Sequence, residues 1–160
     1  MTPLKNNSNL FPKVIVVNDD AAQLIMLCGL LHKAGLDSLA FKSAEAALAA
    51  MTQALQPDLI ITDVYMPGIN GWRFCRLLRS SEYERFNHVP ILVVSATFSG
   101  EEPSRITADL GANAFLSMPV DGQQFIEQVH ALLKGEKAQA VLKALIVEDS
   151  KLVSKRIVDA

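Results

Sequence analysis

The sequence predicts an α/β domain in which a doubly wound parallel sheet carries helices on both faces. Its 160 residues suit one domain with a little chain to spare, and 50% of them are apolar, enough for a sizeable core. Short unbroken apolar runs recur along the chain, as in strands that are buried on both faces. Helical patterns separate these runs, and such alternation is typical of parallel strands joined by right-handed crossovers.

Five apolar runs predict five strands. The clearest are KVIVV, LIIT and ILVV, and the second and fifth runs are weaker. In chain order the predicted strands cover residues 13–17, 38–41, 59–62, 91–94 and 114–116. Because ligands bind beyond the carboxyl ends of the strands in such sheets, functional residues are expected there.

Five helical patterns fill the intervals between the strands and after the last one. They cover residues 24–34, 44–55, 72–78, 101–110 and 125–133. Gly35 is placed to stop the first helix, and Ser43 is placed to cap the second. Asp121 and Gln124 stand at capping-box spacing before the fifth helix.

Composition and charge exclude several classes of protein. With 15 basic and 17 acidic residues the net charge is −2, which gives no general attraction to nucleic acid or anionic lipid. The longest apolar run, 24–31, is far shorter than the ~18 residues of a membrane span. The N-terminal residues lack the apolar segment of a secretory signal, and Cys28 and Cys75 lack disulfide or zinc-ligand spacing. We therefore expect a cytoplasmic domain that contacts neither nucleic acid nor membrane.

Polar residues follow three of the predicted strands. The first strand leads into Asn18-Asp19-Asp20, the third into Asp63 and the fourth into Ser95. If the first and third strands are neighbours, Asp19 and Asp63 converge and repel each other unless a cation lies between them. Mg²⁺ suits such a site, since it takes one or two carboxylates together with phosphate oxygens. Asp63 is also the better candidate for a nucleophile that forms an acyl phosphate, with Ser95 donating to a phosphoryl oxygen.

Four stretches of the chain resemble the receiver domains of two-component response regulators. They are VIVVNDD at 14–20, PDLIITDVYMPGINGW at 57–72, PILVVSAT at 90–97 and GANAFLSMP at 111–119. The resemblance spans about residues 13–134. It implies a flavodoxin-like fold with strand order 2-1-3-4-5 and a bacterial phosphoprotein of the cytoplasm.

The resemblance also implies which residues do the chemistry. Asp63 corresponds to the phosphoacceptor, and Ser95 corresponds to the switch hydroxyl that turns toward the phosphoryl group. Asp19 corresponds to the acid that binds Mg²⁺ directly, and Asp63 and the backbone carbonyl of Tyr65 are expected to complete the protein ligands. The expected cofactor is thus Mg²⁺.

Four other positions bear on switching, and two of them depart from the family pattern. Phe115 takes the place of the switch aromatic residue, and Pro119 takes that of the family's cis-proline. Asn18 stands where the family has the first acid of its pair, so we expect it to reach the metal through water and to weaken Mg²⁺ binding. Met118 stands where the family has a lysine, and it cannot supply the cation that pairs with a phosphoryl group.

Two functions of different kinds follow from the resemblance. In the first, Asp63 accepts a phosphoryl group from a histidine kinase or histidine phosphotransfer protein with Mg²⁺, and the domain regulates downstream domains without being a turnover enzyme. In the second, a degenerate receiver acts as a homodimerisation or docking module while a following receiver takes the signal. The intact Asp19, Asp63 and Ser95 favour the first function, whereas Asn18 and Met118 favour the second.

Two enzyme or cofactor alternatives fit poorly. An aspartyl phosphatase would need an acid two residues after its nucleophile, where Tyr65 stands. A mononucleotide-binding loop presents backbone amides to phosphate, whereas the residues after the first strand present negative charge.

The sequence predicts four regions in this chain. They are a tail at 1–12, the receiver domain at 13–134, a linker at 135–142 and the start of a truncated second receiver at 143–160. The last assignment rests on KALIVEDS at 143–150, which repeats the pattern of KVIVVNDD at 13–20. We therefore expect a tandem-receiver protein with a downstream receiver or output domain. The other interpretation is a terminal strand and helix of the first domain.

Overall fold

The sheet has the predicted parallel topology. The computed structural model describes residues 12–53, 55–96 and 108–135. Within these ranges five parallel strands are arranged in the order β2-β1-β3-β4-β5. Their bounds are β1 Lys13–Val17, β2 Asp37–Phe41, β3 Leu59–Thr62, β4 Ile91–Ser95 and β5 Ala114–Ser117. The doubly wound fold and its strand order are confirmed.

Helices connect the strands and follow the last one. They are α1 Ala21–Lys33, α2 Ala44–Gln53, α3 Gly71–Leu78 and α4 Gly122–Leu133. A 3₁₀ helix at Ser81–Phe86, which the sequence analysis did not predict, leads from α3 toward β4. The predicted helix at 101–110 lies largely outside the described residues, although 108–110 are helical. The predicted second receiver at 143–160 also lies outside them. The predicted linker at 135–142 is described only at residue 135, and the predicted tail at 1–12 only at residue 12.

Local sequence signals set several helix ends. Gly35 follows α1 with φ 80°, and the N–H groups of Gly35 and Leu36 donate back to carbonyls of the last turn at 2.9 Å. The Ser43 hydroxyl accepts the N–H of Ala46 at 3.1 Å at the start of α2. Asp121 caps α4 by accepting two N–H groups of its first turn. No helix in the described ranges is long and apolar enough to cross a membrane.

Two apolar clusters fill the space between the sheet and its helices. Alternate residues of each central strand belong to opposite clusters, because successive side chains of a strand point to opposite faces. The α1-side cluster includes Val14, Val16, Leu27, Leu92, Phe125 and Val129, and the α2-side cluster includes Ile15, Val17, Leu48, Ile60, Phe74 and Val93. Continuous apolar runs are therefore needed in β1, β3 and β4, which are covered on both faces.

Strand β2 differs from the expectation that every strand is buried on both faces. None of its five residues is fully buried, and Leu39 is 44% exposed. The reason is its place at the edge of the sheet, where it pairs only with β1. Edge position is a property of topology, which the weak apolar run at 38–41 does not encode.

One arginine joins three segments at the amino-terminal end of the sheet. Arg79 follows α3, and its guanidinium donates to the carbonyls of Phe86 at 3.2 Å, Val89 at 2.8 Å and Gly111 at 3.0 Å. It also donates to the Asn113 side-chain oxygen at 3.1 Å. Burial lowers the pKa of Arg79, so these hydrogen bonds must compensate for a partly desolvated charge. The side chain holds the turn before β5 against the segment before β4.

Replacing Arg79 with methionine removes all four hydrogen bonds and leaves part-buried acceptors without their donor. We expect Arg79→Met to lower the free energy of unfolding by about 2–4 kcal/mol, measured by urea denaturation. Arg76→Met is the matched control, because Arg76 is exposed on the last turn of α3 and should change stability by less than ~0.5 kcal/mol. Equal losses in the two variants would contradict the assigned role of Arg79.

Candidate functional site

The register of β1 and β3 brings the predicted acidic residues together. Val17 lies opposite Thr62, and the Asp63 N–H donates to the Val17 carbonyl at 3.1 Å. Asn18 and Asp19 therefore begin the loop beside the residue that follows β3. The Asp19 carboxylate is near enough to contribute to the elevated pKa of Asp63. The structure thus supports the predicted pairing of Asp19 with Asp63 at the carboxyl end of the sheet.

The Asp63 carboxylate is half-buried and surrounded by hydrogen-bond donors. Its Oδ1 accepts the Val64 N–H at 2.7 Å. The carboxylate also accepts hydrogen bonds from the Tyr65 N–H and the Ser95 side chain. Burial raises the pKa of Asp63 above its ordinary value of 3.8, and Asp19 raises it further, while the three hydrogen bonds oppose the shift. Ser95 itself is 1% exposed. Asp63 is thus a desolvated, oriented carboxylate at a strand end, a suitable nucleophile.

The amino end of α3 packs directly on the backbone of the Asp63 loop. The Gly71 N–H donates to the Val64 carbonyl at 2.7 Å. A Cβ atom on Gly71 would collide with the Asp63 carbonyl oxygen and would lie 2.6 Å from the Val64 Cα. Thr62 Oγ1 donates to the same Asp63 oxygen at 2.9 Å. Only glycine at position 71 permits this approach, which sets the path of the chain just after the candidate nucleophile.

Helix α2 supports the far side of the same loop. Glu45, in the first turn of α2, accepts the Ile69 N–H at 2.9 Å through Oε2. Its carboxylate also occupies the space beside Gly68, which has φ 76°. Asn70 then caps α3 by accepting the Arg73 N–H at 3.0 Å. The loop that carries Asp63 is therefore held by two helices as well as by β1.

Asn18 is part of a hydrogen-bond network at the start of α1. Its side chain is 1% exposed, accepts the Asp20 N–H at 2.9 Å and donates to Gln23 Oε1 at 2.8 Å. Asp20 caps α1 by accepting the Gln23 N–H at 3.1 Å. These roles of Asp20 and Gln23 were not predicted from the sequence, although D-x-x-Q before a helix is a capping-box signal.

The donor set beside Asp63 suits a hard divalent cation with few protein ligands. Asp19 and Asp63 supply two carboxylates, and Asn18 supplies no charge. Among residues 12–53, 55–96 and 108–135, no three or more His, Cys, Asp or Glu side chains form a metal-binding group. Mg²⁺ needs only one or two carboxylates because it retains waters, so the donor set fits Mg²⁺ better than metals that prefer nitrogen or sulfur.

The remaining predicted residues lie on β5 and just after it. Phe115 is half-buried and packs against the α2-side cluster. The Met118 N–H donates to the Ser95 carbonyl at 3.0 Å, and its side chain packs against the α1-side cluster. The Met118–Pro119 peptide bond is cis. Position 118 therefore places an apolar side chain against the core.

Comparison with known proteins identifies the family. The response regulator receiver domain family matches residues 14–130, and the chain belongs to it. The chemotaxis response regulator CheY4 of Vibrio cholerae superimposes with a TM-score of 0.65 at 26% identity, covering 76% of this chain and 98% of CheY4. A putative response regulator from Chloroflexus aurantiacus gives 0.68 at 30% identity, covering 78% of this chain and 98% of that one.

Curated relatives are longer than this chain. The sensory/regulatory protein RpfC of Xanthomonas campestris is 33% identical over 72% of this chain but only 16% of RpfC. The DNA-binding dual master transcriptional regulator RpaA of Synechocystis is 32% identical over 77% of this chain and 49% of RpaA. The match thus covers less than half of the length of each of these two relatives.

A methyl group at position 71 should displace the Asp63 loop. We expect Gly71→Ala to lower the free energy of unfolding by about 2–4 kcal/mol, measured by urea denaturation, because its Cβ would overlap backbone atoms that cannot move independently. The control is Gly29→Ala in α1, where nothing lies within 4 Å of the added atom. It should stabilise the protein by about 0.5–1 kcal/mol, since alanine favours a helix. A neutral Gly71→Ala would contradict this close packing.

The raised pKa of Asp63 predicts a pH-dependent cost to stability. The ionised carboxylate is less favourable in the folded than in the unfolded chain, so the cost is present above the folded pKa and disappears as pH falls toward 3.8. Asp63→Asn should raise Tm by about 3 °C at pH 7.5, measured by calorimetry without divalent cations, and the gain should vanish near pH 4. Asp37→Asn, at an exposed position of β2, is the control for charge removal alone. A gain that persists unchanged at low pH would argue against this electrostatic origin.

Proposed function

We propose that this chain is a phosphoacceptor receiver rather than a turnover enzyme. Asp63 takes a phosphoryl group from a histidine kinase or a histidine phosphotransfer protein in the presence of Mg²⁺, and the domain regulates downstream domains. The observation that carries the proposal is the Asp63 carboxylate itself, which is half-buried, placed beside Asp19 and hydrogen-bonded to the Ser95 side chain. Family membership supports the same function.

The proposed transfer makes one bond and breaks one. A carboxylate oxygen of Asp63 attacks the phosphorus of a phosphohistidine, the P–N bond breaks, and the imidazole leaves with its electron pair while an acyl phosphate forms on Asp63. The Val64 N–H fixes the rotation of the carboxylate, and Ser95 is placed to donate to a phosphoryl oxygen. Bound Mg²⁺, held by Asp19 and Asp63 and the Tyr65 carbonyl, would reduce the repulsion between the carboxylates and the phosphoryl oxygens.

A second candidate function is supported by Asn18 and Met118. Asn18 removes one negative charge from the cation site, and Met118 packs against the α1-side cluster. These observations favour a degenerate receiver that acts as a docking or homodimerisation module.

We extend the proposal to the full-length protein. The tandem-receiver arrangement inferred from residues 143–160 would place a second acceptor after this domain, with an intact Glu148-Asp149 pair. RpaA is named as a DNA-binding regulator, and an output activity of that kind would belong to segments beyond the receiver.

Incubation with acetyl phosphate followed by intact-mass analysis tests the proposal. We expect one added phosphoryl group in the unmodified chain with Mg²⁺, little without Mg²⁺, and none in Asp63→Asn. Asp37→Asn should be phosphorylated like the unmodified chain. An unmodified chain that is folded yet gains no phosphoryl group would support the docking module instead. An adduct on Asp63→Asn would mean that another residue is the acceptor.

A further inference from the structure

Three hydrogen bonds join the end of β1 to the first turn of α1 in a closed network. Asp20 Oδ1 accepts the Gln23 N–H at 3.1 Å, Asn18 Oδ1 accepts the Asp20 N–H at 2.9 Å, and Asn18 Nδ2 donates to Gln23 Oε1 at 2.8 Å. In an ordinary capping box the side chain at the Gln23 position would accept the Asp20 N–H directly. Here the Asn18 amide lies between them, so the Gln23 side chain acts on Asn18.

The network allows the Asn18 amide a single orientation. A 180° rotation would place Nδ2 against the Asp20 N–H, so that two donors faced each other at a position 1% exposed. Gln23 then satisfies the Nδ2 group, which would otherwise lose a partner inside the protein. The Asp20 N–H thus holds the oxygen of the Asn18 amide, and the side-chain Oε1 of Gln23 holds its nitrogen.

The same network reaches Asp19. The hydrogen bond from the Asp20 N–H to Asn18 Oδ1 closes a ring around the backbone of Asp19. Any rotation of the Asn18 side chain would open this ring and release the backbone from which the Asp19 carboxylate extends. The Gln23 side chain is hydrogen-bonded to Asn18, so its influence on Asp19 passes through Asn18.

We propose that Gln23 is a positioning residue for the divalent-cation site. It fixes the Asn18 amide, the amide fixes the backbone of Asp19, and the affinity of the site for Mg²⁺ depends on that placement. This inference rests on the proposed function and deepens it, since it explains how a chain with an asparagine in place of the first acid keeps its cation-binding loop in order. Residues that orient metal ligands change metal affinity without touching the metal.

The chemistry at positions 18 and 23 makes the two residues interdependent. If Asn18 becomes aspartate, the Gln23 amide can turn over and donate through Nε2. If Gln23 becomes glutamate, its carboxylate can accept from Asn18 Nδ2. With both changes, the carboxylates of residues 18 and 23 face each other at a part-buried site. No proton lies between them, so they repel each other instead of forming a hydrogen bond. Each single change therefore preserves the hydrogen bond between positions 18 and 23, and the double change removes it.

The experiment measures Mg²⁺ affinity and the Asn18 amide in the same samples. The full chain and its variants are labelled with ¹⁵N, and the Asn18 side-chain resonances are recorded first without divalent cation and then during a MgCl₂ titration at pH 7.5. The variants are Gln23→Met, Gln23→Glu, Asn18→Asp and the double variant. Gln124→Met is the matched control, because Gln124 holds the same position after the cap Asp121 of α4, away from the site. Urea denaturation gives the stability of each protein.

We expect Gln23→Met to weaken Mg²⁺ binding about 10-fold and to shift the Asn18 side-chain resonances before any Mg²⁺ is added. Gln23→Glu should bind Mg²⁺ at least as tightly as the unmodified chain, and Gln124→Met should match it. The double variant should be less stable than the two single changes predict by addition. Should Gln23→Met fail to fold, this non-additivity still tests the contact.

Three results would overturn the inference, and they differ from failure of the proposed function. Gln23→Met could bind Mg²⁺ as the unmodified chain does, or could weaken binding while leaving the Asn18 resonances unchanged. The effects at positions 18 and 23 could also be additive. An unmodified chain that binds no Mg²⁺ would instead remove the Mg²⁺-dependent function and this inference with it.

Discussion

The pairing of Val17 with Thr62 between β1 and β3 is the constraint on which the site depends. It places Asn18 and Asp19 beside Asp63 at one end of the sheet. Because the side chains of a strand alternate between faces, a shift of one residue would exchange the two apolar clusters as well as separate the acids. The packing that stabilises the domain therefore also maintains the geometry of the candidate phosphorylation site.

The position of the Asp63 carboxylate is electrostatically unfavourable, and the surrounding structure keeps it there. Burial and the neighbouring Asp19 both disfavour the charge on Asp63, and donors from Val64, Tyr65 and Ser95 compensate only in part. The close packing of Gly71 on the loop backbone prevents the carboxylate from moving into solvent by a change in the chain path. Asn18 limits the repulsion, since an acid at its buried position would add a third negative charge.

Much of the fold follows from local sequence, and the exceptions have a common cause. The central strands and the residues at their ends were predictable because β1, β3 and β4 are apolar throughout and stop at polar residues. The exposure of β2 was not, because it depends on which strand lies at the edge. The hydrogen bonds of Arg79 were not predictable either, because they use the carbonyls of Val89 and Gly111, which belong to segments distant from α3 in sequence. The D-x-x-Q spacing could have indicated a capping role for Gln23, but its hydrogen bond to Asn18 replaces the usual capping-box hydrogen bond.

The apolar placement of Met118 would make a phosphorylated state of the domain sensitive to the salt concentration of the solution. Two carboxylates and one Mg²⁺ would balance in charge, and a phosphoryl group on Asp63 would then add a net negative charge. With Met118 packed against the α1-side cluster, that position offers no fixed cation to balance it. Mobile counterions would take over part of this role, with a screening length of about 8 Å at physiological ionic strength. The lifetime and conformation of a phosphorylated state would thus depend on salt concentration more strongly than in a receiver with a lysine at that position.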